Sequence, residues 1–189
     1  MMRIRYNAPV TLSYALITSL VLAADQLLGT DLIPQLFTVP PSGYFSFSHL
    51  PDWLRLFTHV VGHSGWDHLL GNFAFILLLG PILEEKHGSL PILLMAIITA
   101  GITGLLNVLF SSYALLGASG VVFMMILLVS FTNFRDGEIP LTFLLVIALY
   151  VVRELLASFD PDGVAQFAHI AGGICGSMFG FLRSGHKKS

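Results

Sequence analysis

From Leu90 to Phe110 the chain carries no charged side chain. That is about the 20 residues a helix needs to cross a bilayer. Five more stretches read the same way: Val10–Leu28, Trp66–Leu83, Ala118–Phe134, Pro140–Ala157 and Ala165–Leu182. In lipid every backbone N–H and C=O must be satisfied, and apolar stretches of this length do so as helices. The expected fold is all-α: a polytopic membrane bundle of six transmembrane helices, one domain over residues 1–189.

Composition agrees. The chain is 55% hydrophobic and 11% charged, against about 25% charged in a soluble domain. A net charge of −2 argues against nucleic acid as a partner. The single cysteine, Cys175, excludes an internal disulfide framework and reads as a small core residue. The first stretch ends in Asp25-Gln26-Leu27-Leu28 and lacks a small-x-small cleavage pattern. No internal repeat suggests a transporter.

Six spans put both termini on one side. Arg3, Arg5, Lys86, Arg135, Arg183, Lys187 and Lys188 fall there, against Arg55 and Arg153 opposite. The positive-inside rule then expects a cell (inner) membrane protein with both termini cytoplasmic. The other side holds a long loop, Asp25–Gly65, rich in apolar and aromatic residues. It is expected to fold against the bundle, partly in the membrane interface. The uncharged loop Ser111–Leu116 is expected to dip below the membrane surface. The loop Ser158–Gly163 is expected to be a short turn.

Polar side chains within such spans are costly and mark function. Ser119 lies between glycines in Gly117-Ala118-Ser119-Gly120. His68 and Asn72, four residues apart, share one helix face. His63 falls off that face and, with His59, reads as a hydrogen-bonding residue of the long loop. Gly172, Gly173, Gly176 and Gly180 follow His169 along its own face. That stripe permits close approach to another helix, and Gly117 and Gly120 offer the matching surface.

A serine hydroxyl needs an adjacent base, and a neutral imidazole supplies one. No carboxylate is placed to make a third member: Glu154 and Asp67 share no helix with Ser119 or His169. A Ser119–His169 dyad is the economical arrangement. His68, Asn72 and the Ser119 backbone N–H can donate to an oxyanion. Two other classes stay open: a metal protein using His63, His68 and His169, and a non-catalytic binder of membrane helices.

These residues resemble the rhomboid family of intramembrane serine proteases. The motifs are His63-x4-His68-x3-Asn72, Gly117-x-Ser119-Gly120 and His169-x2-Gly172-x3-Gly176, with weaker matches at Arg55 near Trp53 and at Gly80–Glu84. The resemblance covers nearly the whole chain. It implies Ser119 as nucleophile, His169 as base, and an oxyanion hole of His68, Asn72 and the Ser119 backbone. It implies transmembrane proteins as substrates, the lipid bilayer as setting, no cofactor and no metal. It also implies that the fifth span and the loop around Asp160 act as gate and cap. Phe123 stands where many members have a tyrosine that stacks on the catalytic histidine.

Overall fold

The computed structural model describes residues 6–130, helical positions 141, 144, 145, 148, 149 and 152, and residues 166–184. The cap around Asp160, the turn Ser158–Gly163, the rest of the fifth span including Glu154, and both extreme termini lie outside the described residues. The described part is helical: α1 (Pro9–Leu28), α2 (Leu32–Leu36), α3 (Leu50–Thr58), α4 (Trp66–His87), α5 (Ser89–Phe110), α6 (Ser119–Ser130) and α7 (Gln166–Ser184). Among the described residues the one β pairing is an isolated bridge between Val39 and Leu115.

Helices α1, α4 and α5 are long and apolar enough to cross a membrane, and α6 is a shorter apolar helix. They take the places of the first four expected spans, and α7 that of the sixth. Of the fifth, the described helical positions are exposed. Helix α4 runs to His87, beyond the expected end at Leu83. Pro81 removes one N–H from its ladder, a loss that membrane helices tolerate. Lys86 occupies its last turn, where positive charge suits the helix dipole.

The far end of α4 is tied to the start of α1. Glu84 is 4% exposed. Its carboxylate accepts from the Val10 N–H at 3.1 Å, the Thr11 N–H at 2.7 Å and the Thr11 hydroxyl at 2.6 Å. The first N–H groups of a helix have no partner of their own, and a carboxylate there also complements the dipole.

The long loop folds against the bundle, as expected, and contains α2 and α3. Phe45, Phe47 and Trp53 pack edge to face with ring centroids 5.3–5.9 Å apart. The Trp53 indole N–H donates to the Phe47 carbonyl at 3.1 Å. Arg55 joins the two helices, donating to the Gln35 carbonyl and to Asp52. Burial alone would raise the Asp52 pKa. The Ser46 N–H, His49 and Arg55 outweigh it and hold the carboxyl below its ordinary value. Helix α3 then lies on α5, where Gly104 lets the Leu56 backbone come into contact.

At the centre stands α6. Gly120, Val121, Val122, Phe123, Met124, Met125, Leu127 and Leu128 are all buried. A helix apolar on every side belongs inside a bundle. It packs with Ile76 and Leu83 of α4, Ile92 and Met95 of α5, and Cys175 of α7. Cys175 is a core residue, as expected.

Candidate active site

The loop before α6 is held from both sides. Leu115 exchanges two backbone hydrogen bonds with Val39, at 2.9 and 3.0 Å. Two residues later the Gly117 N–H donates to the His59 carbonyl at 2.9 Å. Gly117 has φ +104, a conformation in which a Cβ would be strained. The chain then turns into α6 at Ser119.

Glycine is required at 117 for a second reason. A Cβ there would lie 2.6 Å from both Cε1 and Nε2 of His68, and 3.8 Å from the Asn72 amide nitrogen. Two nitrogens from successive turns of α4 therefore border the space before Gly117. Asn72 is itself positioned by donating from Nδ2 to the His68 carbonyl at 3.2 Å.

Ser119 and His169 are in contact: Oγ lies 2.8 Å from Nε2. Helices α6 and α7 bring them together through backbone proximity. A Cβ on Gly172 would overlap the Gly120 carbonyl oxygen, and one on Gly176 would overlap that of Met124. The glycine stripe thus meets α6 at two points one turn apart. The expected partnership is refined, because Gly120 faces α7 whereas Gly117 faces α4. His169 is 7% exposed. The Phe123 ring lies 4.7 Å from its ring, tilted by 43°, so the two rings are in contact without a phenol hydroxyl.

His63 and His59 stand around this group. The His63 ring meets the His68 ring edge to face at 5.0 Å, although helical spacing separates them. His63 precedes α4, and the loop turns its ring back over the first turn. Its Nδ1 donates to the Val61 carbonyl at 3.2 Å. His59 reaches the Arg55 carbonyl through Nδ1, at 3.2 Å. Its Nε2 lies 3.3 Å from the Thr103 hydroxyl. Burial pushes both rings down to a pKa of about 4. Sequence reasoning assigned the two histidines to the loop. It missed the His59 carbonyl that fixes Gly117 and the Thr103 that fixes His59, since no pattern marks a backbone acceptor or a threonine in an apolar run.

Ser119, His169, His68 and Asn72 thus converge where α4, α6 and α7 all begin. Among the described residues no group of three or more His, Cys, Asp or Glu side chains is arranged to hold a metal ion. The convergence places a hydroxyl beside a base and N–H donors nearby, the parts that acyl transfer needs.

Comparison with known proteins gives the same direction. The family model described as the Rhomboid domain matches residues 50–186. The chain is 25% identical to rhomboid protease GlpG of Haemophilus influenzae, over 71% of this chain and 72% of that protein. It is 31% identical to putative rhomboid protease YdcA of Bacillus subtilis, over 70% and 66% of the two. With rhomboid protease GlpG of Serratia proteamaculans it shares 28% over 95% of this chain and 64% of the relative. The chain therefore spans about two thirds of these relatives' lengths, and it belongs to the rhomboid family of intramembrane serine proteases.

Proposed function

We propose that the chain is an intramembrane endopeptidase that cuts transmembrane proteins within or beside their spans, using a Ser119–His169 dyad. The 2.8 Å contact between Ser119 Oγ and His169 Nε2 carries this reading. His169 takes the hydroxyl proton as Oγ attacks the scissile carbonyl carbon, and a tetrahedral oxyanion forms. His169 then returns the proton to the leaving amine as the C–N bond breaks. Water activated by the same imidazole attacks the acyl-enzyme, releasing the carboxylate and restoring Ser119.

The oxyanion falls to His68, Asn72 and the Ser119 backbone N–H. The first two border Gly117, and the third belongs to the unpaired N–H groups at the start of α6. The dipole there favours negative charge. Phe123 sets the plane of the His169 ring by stacking.

The wider reading keeps one domain, six spans, both termini on the cytoplasmic side of the cell membrane, and no cofactor, metal or nucleic acid. The Ser–His contact weighs against a non-catalytic binder. Nδ1 of His63 faces the Val61 carbonyl and Nδ1 of His68 faces the Ser64 hydroxyl, which weighs against a shared metal ligand set. Cleavage of a model membrane substrate in proteoliposomes tests the reading. Ser119→Ala and His169→Ala are each expected to abolish it, and a fluorophosphonate is expected to label wild type but not Ser119→Ala. Equal cleavage by Ser119→Ala would refute the mechanism.

A further inference from the structure

We propose that Ser64 is a positioning residue that holds His68 with its proton on Nε2, the form able to donate into the space at Gly117. This rests on the reading of His68 as an oxyanion donor. Ser64 lies two residues before α4 begins. Its Oγ is 3.1 Å from His68 Nδ1. The opposite edge of the same ring, Cε1 and Nε2, faces Gly117.

A neutral imidazole carries one proton, and the nitrogen without it accepts. The bond made by one nitrogen decides which form is present. A hydroxyl that donates to Nδ1 leaves the proton on Nε2. The reverse arrangement would turn a lone pair toward the developing oxyanion and repel it. Ser64 is exposed, so its hydroxyl is free to rotate into the donating orientation. As charge builds on the oxyanion, the two bonds polarise each other through the ring.

The neighbouring His63 gives the contrast. Its Nδ1 faces the Val61 carbonyl at 3.2 Å, and a carbonyl only accepts. His63 is therefore fixed with its proton on Nδ1. A carbonyl leaves His63 one form only, whereas a hydroxyl can donate or accept; on this proposal Ser64 donates, and two rings 5.0 Å apart take opposite forms. The residue that differs between their settings is Ser64.

The test uses the full chain in detergent micelles with histidine labelled by ¹⁵N. The His68 ring signals are identified by their loss in His68→Ala. Wild type is expected to show the Nε2–H form. Ser64→Ala is expected to show a mixture, and Ser64→Thr to restore the single form. In the same samples Ser64→Ala is expected to lower kcat by about 3- to 10-fold with KM unchanged, the loss of one hydrogen bond's net contribution. Ser64→Thr recovers the rate. A wild-type His68 protonated on Nδ1, an unchanged tautomer in Ser64→Ala, or a tautomer shift without a fall in kcat each overturns the proposal. An unchanged kcat in His68→Ala instead overturns the oxyanion reading, which separates the two failures.

Discussion

Gly172 lies so close beneath Gly120 that a Cβ on the former would overlap the carbonyl oxygen of the latter. The Ser119–His169 contact depends on it, since His169 is one turn from Gly172 on the same face. Gly172→Ala is expected to force α7 away from α6 and stretch the 2.8 Å Ser119–His169 contact. Overpacking of this kind costs about 1–3 kcal/mol. Thermal unfolding in detergent should register the destabilisation, and cleavage should fall by at least about tenfold, since catalytic geometry tolerates little displacement. Wild-type activity in this variant would mean that the helices have slack.

Phe123 and His169 form the next pair, with rings 4.7 Å apart. Phe123→Leu keeps apolar bulk and removes the aromatic face. An aromatic pair contributes about 0.5–1.5 kcal/mol beyond burial, so kcat is expected to fall about 2- to 12-fold with substrate affinity retained. Steady-state kinetics with KM and kcat separated would show it.

Asn72 is buried, and its amide donates to the His68 carbonyl. Helix glue and oxyanion donor are both compatible with that bond. Asn72→Ala is expected to lower kcat by about 10²-fold, as for other single oxyanion donors, with thermal stability nearly unchanged. A full rate would leave Asn72 a structural role alone.

Acid should destabilise the fold through two buried loop histidines that touch the bundle. His59 and His63 have folded pKa values of about 4, below the ordinary value of about 6.5. Between those pH values the unfolded chain binds protons that the folded chain refuses. Their stabilising effect is therefore complete above about pH 6.5 and is lost as pH falls toward 4. Unfolding temperature measured across that range should decline steadily. His59→Gln should reduce the slope, and a level profile would contradict the burial of the two rings.

Glu84 acts at the opposite end of the bundle from Ser119. Glu84→Ala would leave the Val10 and Thr11 N–H groups buried without their acceptor. Hydrogen bonds to charged groups are worth about 1.5–3 kcal/mol each, so a clear drop in unfolding temperature is expected. At temperatures where the variant stays folded, kcat should be close to wild type. A selective loss of kcat would show coupling between the two ends.

Much of this architecture was legible in the order of residues. Apolar stretches of bilayer length marked α1, α4 and α5, because charge is too costly there to occur by accident. The same cost made Ser119, His68, Asn72 and His169 conspicuous, and the stripe at Gly172 and Gly176 announced a close helix contact. Four features were hidden for physical reasons. Periodicity applies only inside a helix, so it separated His63 from His68 although a loop folds one ring onto the other. The partner of Gly117 depends on a backbone turn with positive φ, which directs it to α4 rather than to α7. The hold of His59 on Gly117 uses a carbonyl oxygen that every residue possesses. Short α2 and α3 were concealed in an aromatic-rich loop whose apolar surface reads equally well as an interfacial anchor.

The shared starting point of α4, α6 and α7 has a consequence for depth. Asn72 is the seventh residue of α4, Ser119 the first of α6 and His169 the fourth of α7. At about 1.5 Å of rise per residue, these three groups lie within about 10 Å of the ends of their helices. On the proposed reading, hydrolysis takes place at the helix ends that open toward one membrane face, from which water reaches the serine. A substrate helix then has only its outermost turns to offer, and those turns must open before a carbonyl is free for attack. Opening them breaks internal hydrogen bonds that lipid does not replace. Selection among substrates would thus follow how readily the top of each span frays.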